Sequence, residues 1–340
     1  MKLQGRTRQW AIYGLRLAFG LGILVACFTL LDVSALPEAF ARLDAFWLFV
    51  SFALTVIGTI VIPAMITKSA LAIDRVRMSL GEIIALNFSV RLYVLIFPRG
   101  FSYGLRWLRY RRAGSGHDAL ALMTFEQLVQ LFVMMASATV ALLVERDRFP
   151  EQGPALLLLA SAMTVALAIG LTPFLLPTTT GVLQRIVAFA DRFSPGFISR
   201  RLHSFVDAVR AFHGMKAARH FGIVFLSFLS FLTLVITAFV VAMALGIDVT
   251  IAALAWIRPL VFLTTLLPFT IGGVGVREAA FIALLHLYGV SAHEALALSL
   301  ILFANQVAVG LIGACIELRR YLVPADSKPA DGLGKGKNDA

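Results

Sequence analysis

Charged residues are scarce in this 340-residue chain, at 14% of its length. Soluble domains carry about 25%, so an ordinary soluble domain, or a pair of them, is excluded. Acidic residues are the rarer sign: 19 Asp and Glu stand against 30 Lys and Arg, for a formal net charge of +11. Cysteine occurs only twice, at Cys27 and Cys315, each inside an apolar run. Two thiols with no metal-ligand spacing argue against a disulfide framework and against a zinc site. The sequence has no P-loop, no HExxH, no CxxC and no G-x-S-x-G. Its longest polar stretch is the 42 residues of 178–219. Nucleotide-driven transport by this chain alone, metal or other cofactor chemistry and a folded transferase domain are therefore not expected, and the chain reads as a non-enzyme.

What the chain has instead is apolar length. Hydrophobic residues make up 59% of it, with a mean hydropathy of +0.87. A helix needs roughly 20 mostly apolar residues to cross the hydrocarbon of a bilayer. Six segments meet that requirement: 10–31, 46–67, 118–144, 154–176, 220–246 and 292–318. The first follows Lys2, Arg6 and Arg8 as a signal peptide would, but it is too long for an h-region and contains Arg16, so it reads as a retained span. With the N-terminus in the cytoplasm, 23 of the 30 basic residues fall on the cytoplasmic side and only Arg42, Arg146 and Arg148 outside. The positive-inside rule therefore places both termini in the cytoplasm, and the excess of positive charge speaks for cytoplasmic loops, not nucleic acid. The cytoplasmic membrane is the expected location.

Two further apolar segments do not fit as simple spans. Residues 80–112 are interrupted at Pro98-Arg99-Gly100, and residues 250–289 at Pro268-Phe269-Thr270-Ile271-Gly272-Gly273-Val274-Gly275. The arm after the second break is too short to cross, and the charge count holds only if each segment returns to its starting side. Both read as re-entrant hairpins hinged at Pro98 and Pro268, the first entering from the cytoplasm and the second from outside. Broken backbone at membrane depth implies a polar interior at each tip. A repeat accompanies the hairpins. His117-Asp118-Ala119-Leu120-Ala121-Leu122 recurs as His293-Glu294-Ala295-Leu296-Ala297-Leu298, with Gln130 opposite Gln306 and Gly104-Leu105-Arg106 parallel to Gly275-Val276-Arg277. The expected fold is thus an all-α polytopic membrane protein, with six full spans and two re-entrant helical hairpins in an inverted repeat. One transmembrane domain covers 1–322. Segment 178–219 is an amphipathic helix on the inner leaflet, and 323–340 is a disordered cytoplasmic tail.

Charged and amide side chains inside such a protein are functional candidates because their burial is costly. Arg277 and Glu278 open a half-helix just after Gly272, Gly273 and Gly275. Glycines that expose backbone N–H groups beside an arginine at a helix N-terminus make a plausible cradle for a phosphate or carboxylate, although a structural hinge closed by an Arg277–Glu278 pair fits the same residues. Arg106 is the counterpart in the first hairpin, where Trp107, Arg109, Tyr110, Arg111 and Arg112 also suit an interfacial belt. Glu126, in the third long span, suits neutralisation of Arg106 or Arg277, proton binding, contact with a cationic headgroup, or a packing ion pair. Arg91 and Arg258 lie on the first arms of the two hairpins, and Asn305 and Gln306 in the last span suit helix–helix hydrogen bonds.

The run Leu267-Pro268-Phe269-Thr270-Ile271-Gly272-Gly273-Val274-Gly275-Val276-Arg277-Glu278, with the Gly289-Val290 turn, resembles a signature of the flippase-like transmembrane region of the lysylphosphatidylglycerol synthetase family. The resemblance covers roughly 10–320 and suggests a stand-alone member without the synthetase domain. In the first hairpin Ser102-Tyr103 stand where the family commonly has Gly-Gly, and Gln127 follows Glu126 where an Arg is frequent. The resemblance implies movement of a lipid with a charged headgroup between leaflets. Substrates of the right chemistry are an anionic phospholipid, a polyprenyl phosphate or a glycolipid. A transporter of a small soluble anion, a scaffold for a separate lipid- or envelope-modifying enzyme and, least favoured, a polytopic transferase are the alternatives. A homo-oligomer is left open. On this reading Arg277→Ala abolishes transport while folded protein survives, as activity and monodispersity of the purified variant would show. Equal loss of both would assign Arg277 to structure.

Overall fold

The computed structural model describes residues 43–71, 78–96, 99–114, 119–151, 153–190, 212–266 and 273–322, with residues 22, 203, 206, 207, 209 and 210 between them. The described residues are helical with no strand. They form α1 (Ala45–Leu71), α2 (Leu80–Ile96), α3 (Arg99–Arg112), α4 (Ala119–Val144), α5 (Gly153–Leu175), α6 (Thr180–Ala190), α7 (Ala217–Ala244), α8 (Ile251–Leu266), α9 (Val276–His286) and α10 (Ala292–Leu322). Five of these, α1, α4, α5, α7 and α10, are long and apolar enough to cross a membrane, and they match five of the six spans expected from hydropathy. The chain is a multi-pass membrane protein. The remaining expected span, 10–31, lies outside the described residues, Gly22 excepted, as do both hinge prolines, Pro98 and Pro268, and the tail 323–340.

The helices pack in two matching sets of contacts. α2 and α3 contact each other, as do α8 and α9. The first arm of each pair lies against the long helix of the other half, α2 on α10 and α8 on α4, whereas the second arms touch their own following helices, α3 on α4 and α9 on α10. α1 and α7, which precede the two pairs, pack on one another. The polar residues on this last interface are mostly satisfied within their own helices: Thr55 and Thr59 of α1, and Ser227, Thr233 and Thr237 of α7, each donate to the carbonyl four residues back at 2.7–2.8 Å. Small hydroxyl residues of this kind let helix backbones approach without exposing polar groups to lipid.

α1 contains a feature absent from the hydropathy reading, a π turn over Ile57–Val61. Pro63 lies two residues beyond it. A proline in a helix has no N–H to donate and crowds the carbonyl four residues back, and widening the preceding turn accommodates it. Two carbonyls of that turn are bonded from outside the helix: Gly58 accepts from Ser230 Oγ of α7 at 2.6 Å, and Ile60 from Asn87 Nδ2 of α2 at 3.1 Å. The π turn therefore anchors three helices at one point.

α2 and α10 come closer than side chains normally permit. A Cβ built on Gly313 would collide with the carbonyl oxygen of Phe88, and one on Gly310 with Leu95. Phe212, just before α7, is buried between Phe125 of α4 and Phe174 of α5, at ring separations of 4.7 and 5.3 Å. Of the expected amphipathic segment 178–219, Thr180–Ala190 is helical and 191–202 lie outside the described residues. Because the Phe88 backbone cannot yield without moving α2, Gly313→Ala is expected to destabilise the protein by about 1–3 kcal/mol, seen as a lowered thermal midpoint in detergent. A conservative change on the outward face of α5, Val165→Ile, leaves the midpoint in place.

Candidate functional site

A cavity of about 190 Å³ opens between α1, α2, α3, α4 and α7, with Phe262 of α8 closing one side. Its wall is mixed. Arg91, Tyr103, Arg106, Glu126, Gln127 and Gln130 supply charge and amide or phenol groups, joined by Thr59, Thr67, Ser227 and Ser230, while Val90, Val94, Met123, Met134, Leu234 and Phe262 are apolar.

The charged centre of this wall is built from three helices. Arg106 of α3 donates through Nη2 to Asn87 Oδ1 at 2.7 Å, and Asn87 in turn donates to the Ile60 carbonyl of the π turn. Asn87 is 1% exposed, so its orientation is fixed by these two bonds and it holds the guanidinium at the cavity edge. The other end of the guanidinium faces Glu126 of α4, with Arg106 Nη1 3.8 Å from Glu126 Oε2. That separation is an ion pair without a hydrogen bond. Glu126 Oε1 and Arg106 Nε, both buried, make no geometrically formed hydrogen bond among the described residues, and neither does the hydroxyl of the fully buried Tyr110. The Thr67 side chain neighbours both Glu126 and Tyr110. Beside them Tyr103 donates to Gln127 Oε1 at 2.8 Å. The cavity therefore offers a cation whose counter-charge is close but loosely engaged, beside buried polar atoms with bonding capacity to spare. Such a centre suits an exchangeable anionic group, which could take the guanidinium over from Glu126 without leaving it bare.

The second pair of arms is more tightly closed. Arg277 pairs with Glu278, reaches Ser299 Oγ at 3.3 Å, and stacks its guanidinium 4.4 Å from the centre of the Phe303 ring. Glu278 is 1% exposed and also accepts the Gly275 N–H at 2.7 Å, as the carboxylate of a capping box does. One N–H of the expected anion cradle is thus committed to a side chain. The glycines have a steric explanation as well. Gly273 and Gly275 have φ of +78° and +83°, and a Cβ on Gly273 would stand 2.7 Å from Thr265 of α8. Gly272 lies outside the described residues. With three partners on Arg277, its replacement by alanine is expected to cost folded protein along with activity, closer to the structural outcome above.

The other residues singled out from sequence fall in different places. Arg91 lines the cavity. Arg258, half-buried on α8, feels the charge of Arg277 and is not among the cavity residues. Asn305 is a helix–helix partner, donating to Ser51 Oγ of α1 at 3.0 Å, and Gln306 is half-buried on the same helix. Asn87, Tyr103 and Thr67 were not legible as site residues. Asn87 was the findable one, as an amide in the middle of an apolar arm.

The sequence profile of the lysylphosphatidylglycerol synthase transmembrane region matches residues 13–314. No curated protein and no solved structure matches the chain.

The geometry around Arg106 predicts a strongly non-additive pair. Removing one partner of a buried ion pair costs about 3 kcal/mol or more, whereas replacing both by apolar residues is often neutral. Glu126→Ala should therefore lower the thermal midpoint more than the double replacement Arg106→Met with Glu126→Met. A double loss equal to the sum of the losses from Arg106→Met and Glu126→Met alone would show that the two groups do not depend on one another.

Proposed function

The chain belongs to the family of the lysylphosphatidylglycerol synthase transmembrane region, and from that membership and the chemistry of the cavity we propose that it is a lipid flippase or scramblase, moving a lipid with an anionic, phosphate-bearing headgroup between leaflets. The observation that carries the proposal is the mixed polar and apolar wall of the cavity. Arg91, Arg106, Gln127 and Gln130 line it together with Val90, Val94, Met134 and Leu234, and three of the helices that bound it, α1, α4 and α7, are long and apolar enough to span. A headgroup needs a polar route across the hydrocarbon, since a bare charge at the bilayer centre is costly, whereas acyl or prenyl tails can remain in lipid throughout. An amphiphile matches such a wall better than a small soluble anion does.

In this reading the headgroup phosphate pairs with Arg106, supported by Arg91, while Glu126 holds Arg106 in the empty state. The α2–α3 and α8–α9 pairs are the two re-entrant hairpins of an inverted repeat. Their arms of 17, 14, 16 and 11 residues are about 17–26 Å long at 1.5 Å per residue, short of a hydrocarbon core of about 30 Å. The protein sits in the cytoplasmic membrane with both termini in the cytoplasm, which is where the distribution of Lys and Arg puts them. It performs no covalent chemistry itself, and any modification of the lipid belongs to a separate enzyme or domain.

Leaflet exchange in proteoliposomes tests the proposal, comparing fluorescent phosphatidylglycerol, a zwitterionic phospholipid and a polyprenyl phosphate. The wild-type protein should accelerate exchange of an anionic lipid over the zwitterionic one. Arg106→Ala, at equal folded amount, should slow it about 10–100-fold, the effect of losing a hydrogen bond to a charged group. Acceleration of all lipids alike, or of none with or without a proton gradient, would overturn it.

A further inference from the structure

Two glutamates outside the cavity share a pattern that the transport site does not use. Glu145 directly follows α4 and Glu317 lies near the end of α10, and each pairs with an arginine three residues on: Arg148 at 3.1 Å and Arg320 at 2.9 Å. The two Glu-x-x-Arg sequences are 172 residues apart, four short of the 176 that relate Gln130 to Gln306, so they stand one helical turn out of the repeat register and are alike in their contacts.

Their partners are alike in kind, a hydroxyl on the first arm and a polar group of the second, without being in repeat register. Glu145 accepts the Thr250 hydroxyl at 2.9 Å, and Thr250 also caps α8 through the Ala253 N–H. Glu317 accepts the Ser89 hydroxyl of α2 at 2.6 Å. Each carboxylate thus holds the first arm that packs on its own long helix. Each also holds the second arm. Tyr288, in the turn after α9, reaches Glu145 at 3.4 Å, and Arg109 of α3 lies 3.8 Å from Glu317. Burial pushes the Tyr288 phenol up to about 12, so its O–H stays available as a donor at physiological pH. Trp256 donates to the same oxygen at 2.8 Å, and Phe149 packs edge-on against the Tyr288 ring.

The clasps stand at opposite ends of the molecule. Tyr288 precedes the start of α10, and Glu317 is 25 residues beyond Ala292, about 38 Å along a helix and more than the hydrocarbon thickness. The cavity is linked to the Glu317 clasp through two helices. α3 carries Arg106 and, one turn on, Arg109; α2 carries Asn87 and, two residues on, Ser89. A group that draws Arg106 away from Asn87 and Glu126 therefore pulls on the two elements that Glu317 holds. α8 carries Phe262 at the cavity and the Thr250 cap at the other clasp.

We propose that Glu145 and Glu317 are a pair of clasps of like construction, one at each end of the protein, that release their helix pairs in alternation and so open the cavity to one side at a time. The proposal rests on the translocation reading above for its purpose, but not for its geometry. Carboxylates with several charge-assisted partners give two discrete states, engaged and released.

The test uses the full-length protein in oriented vesicles, with Cys27→Ser and Cys315→Ser removing the native thiols and Gln127→Cys reporting on the cavity. The readout is its labelling rate by a membrane-impermeant thiol reagent added to either side. Glu317→Gln keeps an acceptor for Ser89 but loses the charge. It should raise labelling about tenfold from the side of the α10 C-terminus only, the population change expected from weakening a charged hydrogen bond. Glu145→Gln should do so from the opposite side only. Ser89→Ala and Thr250→Ala, milder changes, should show the same sidedness should either Gln variant fold poorly. Equal increases from both sides, or no change in folded protein, would overturn the clasps. Sided labelling together with failure to move any lipid would uphold the clasps and overturn the transport reading. Lipid exchange without sidedness would do the reverse.

Discussion

A guanidinium inside a membrane protein has to be met by something, and the way Arg106 is met organises the rest of this molecule. Asn87 holds one end and is itself held by a carbonyl of the π turn in α1, while Glu126 faces the other end across 3.8 Å. This single chain of contacts ties α1, α2, α3 and α4 together. It also explains why α1 departs from regular geometry where it does: Pro63 disturbs the helix, and the carbonyls of the widened turn at Gly58 and Ile60 go to α7 and α2. Buried backbone groups without partners cost several kcal/mol in hydrocarbon, so the irregular turn and the polar partners around it belong to one solution.

The two helix pairs, α2–α3 and α8–α9, use similar parts to different ends. Both carry an arginine on the second arm with a carboxylate near it. In the second half that carboxylate is the next residue, Glu278, which also caps its own helix, and Arg277 is further held by Ser299 and Phe303. In the first half the carboxylate comes from another helix and stands off, beside a cavity. One arginine is enclosed and the other is available. A translocation site placed at the loosely paired arginine, with the tightly paired one serving as framework, accounts for the difference without requiring the halves to be equivalent.

Much of the fold was legible in the sequence because apolar length and proline breaks are local signals. Five spans fall within a few residues of the expected bounds, and the breaks near 98 and 268 separate α2 from α3 and α8 from α9. The site was legible in part. Arg106, Glu126 and Arg91 stood out as charges in apolar segments and do share the cavity. The choice between Arg106 and Arg277 as the more available cation depends on which carboxylate each meets, and that is a matter of helix packing. The glycines around Arg277 suggested an anion cradle. Their positive φ and the approach of Thr265 supply another reason for them, one that spacing does not reveal. Asn87 and the π turn became meaningful only once α1 and α2 were placed side by side.

The central claim is that a phosphate-bearing headgroup occupies the space beside Arg106, and photo-crosslinking addresses it without requiring turnover. A phospholipid carrying a photoreactive group on its anionic headgroup would be incorporated with the protein in vesicles, irradiated, and the labelled positions mapped by mass spectrometry. The account predicts label on the cavity-lining residues of α3 and α4, at Tyr103, Gln127 and Gln130, reduced when Arg106 is replaced by alanine. Label confined to outward-facing residues of α5, such as Leu158 and Val165, and indifferent to Arg106, would contradict it.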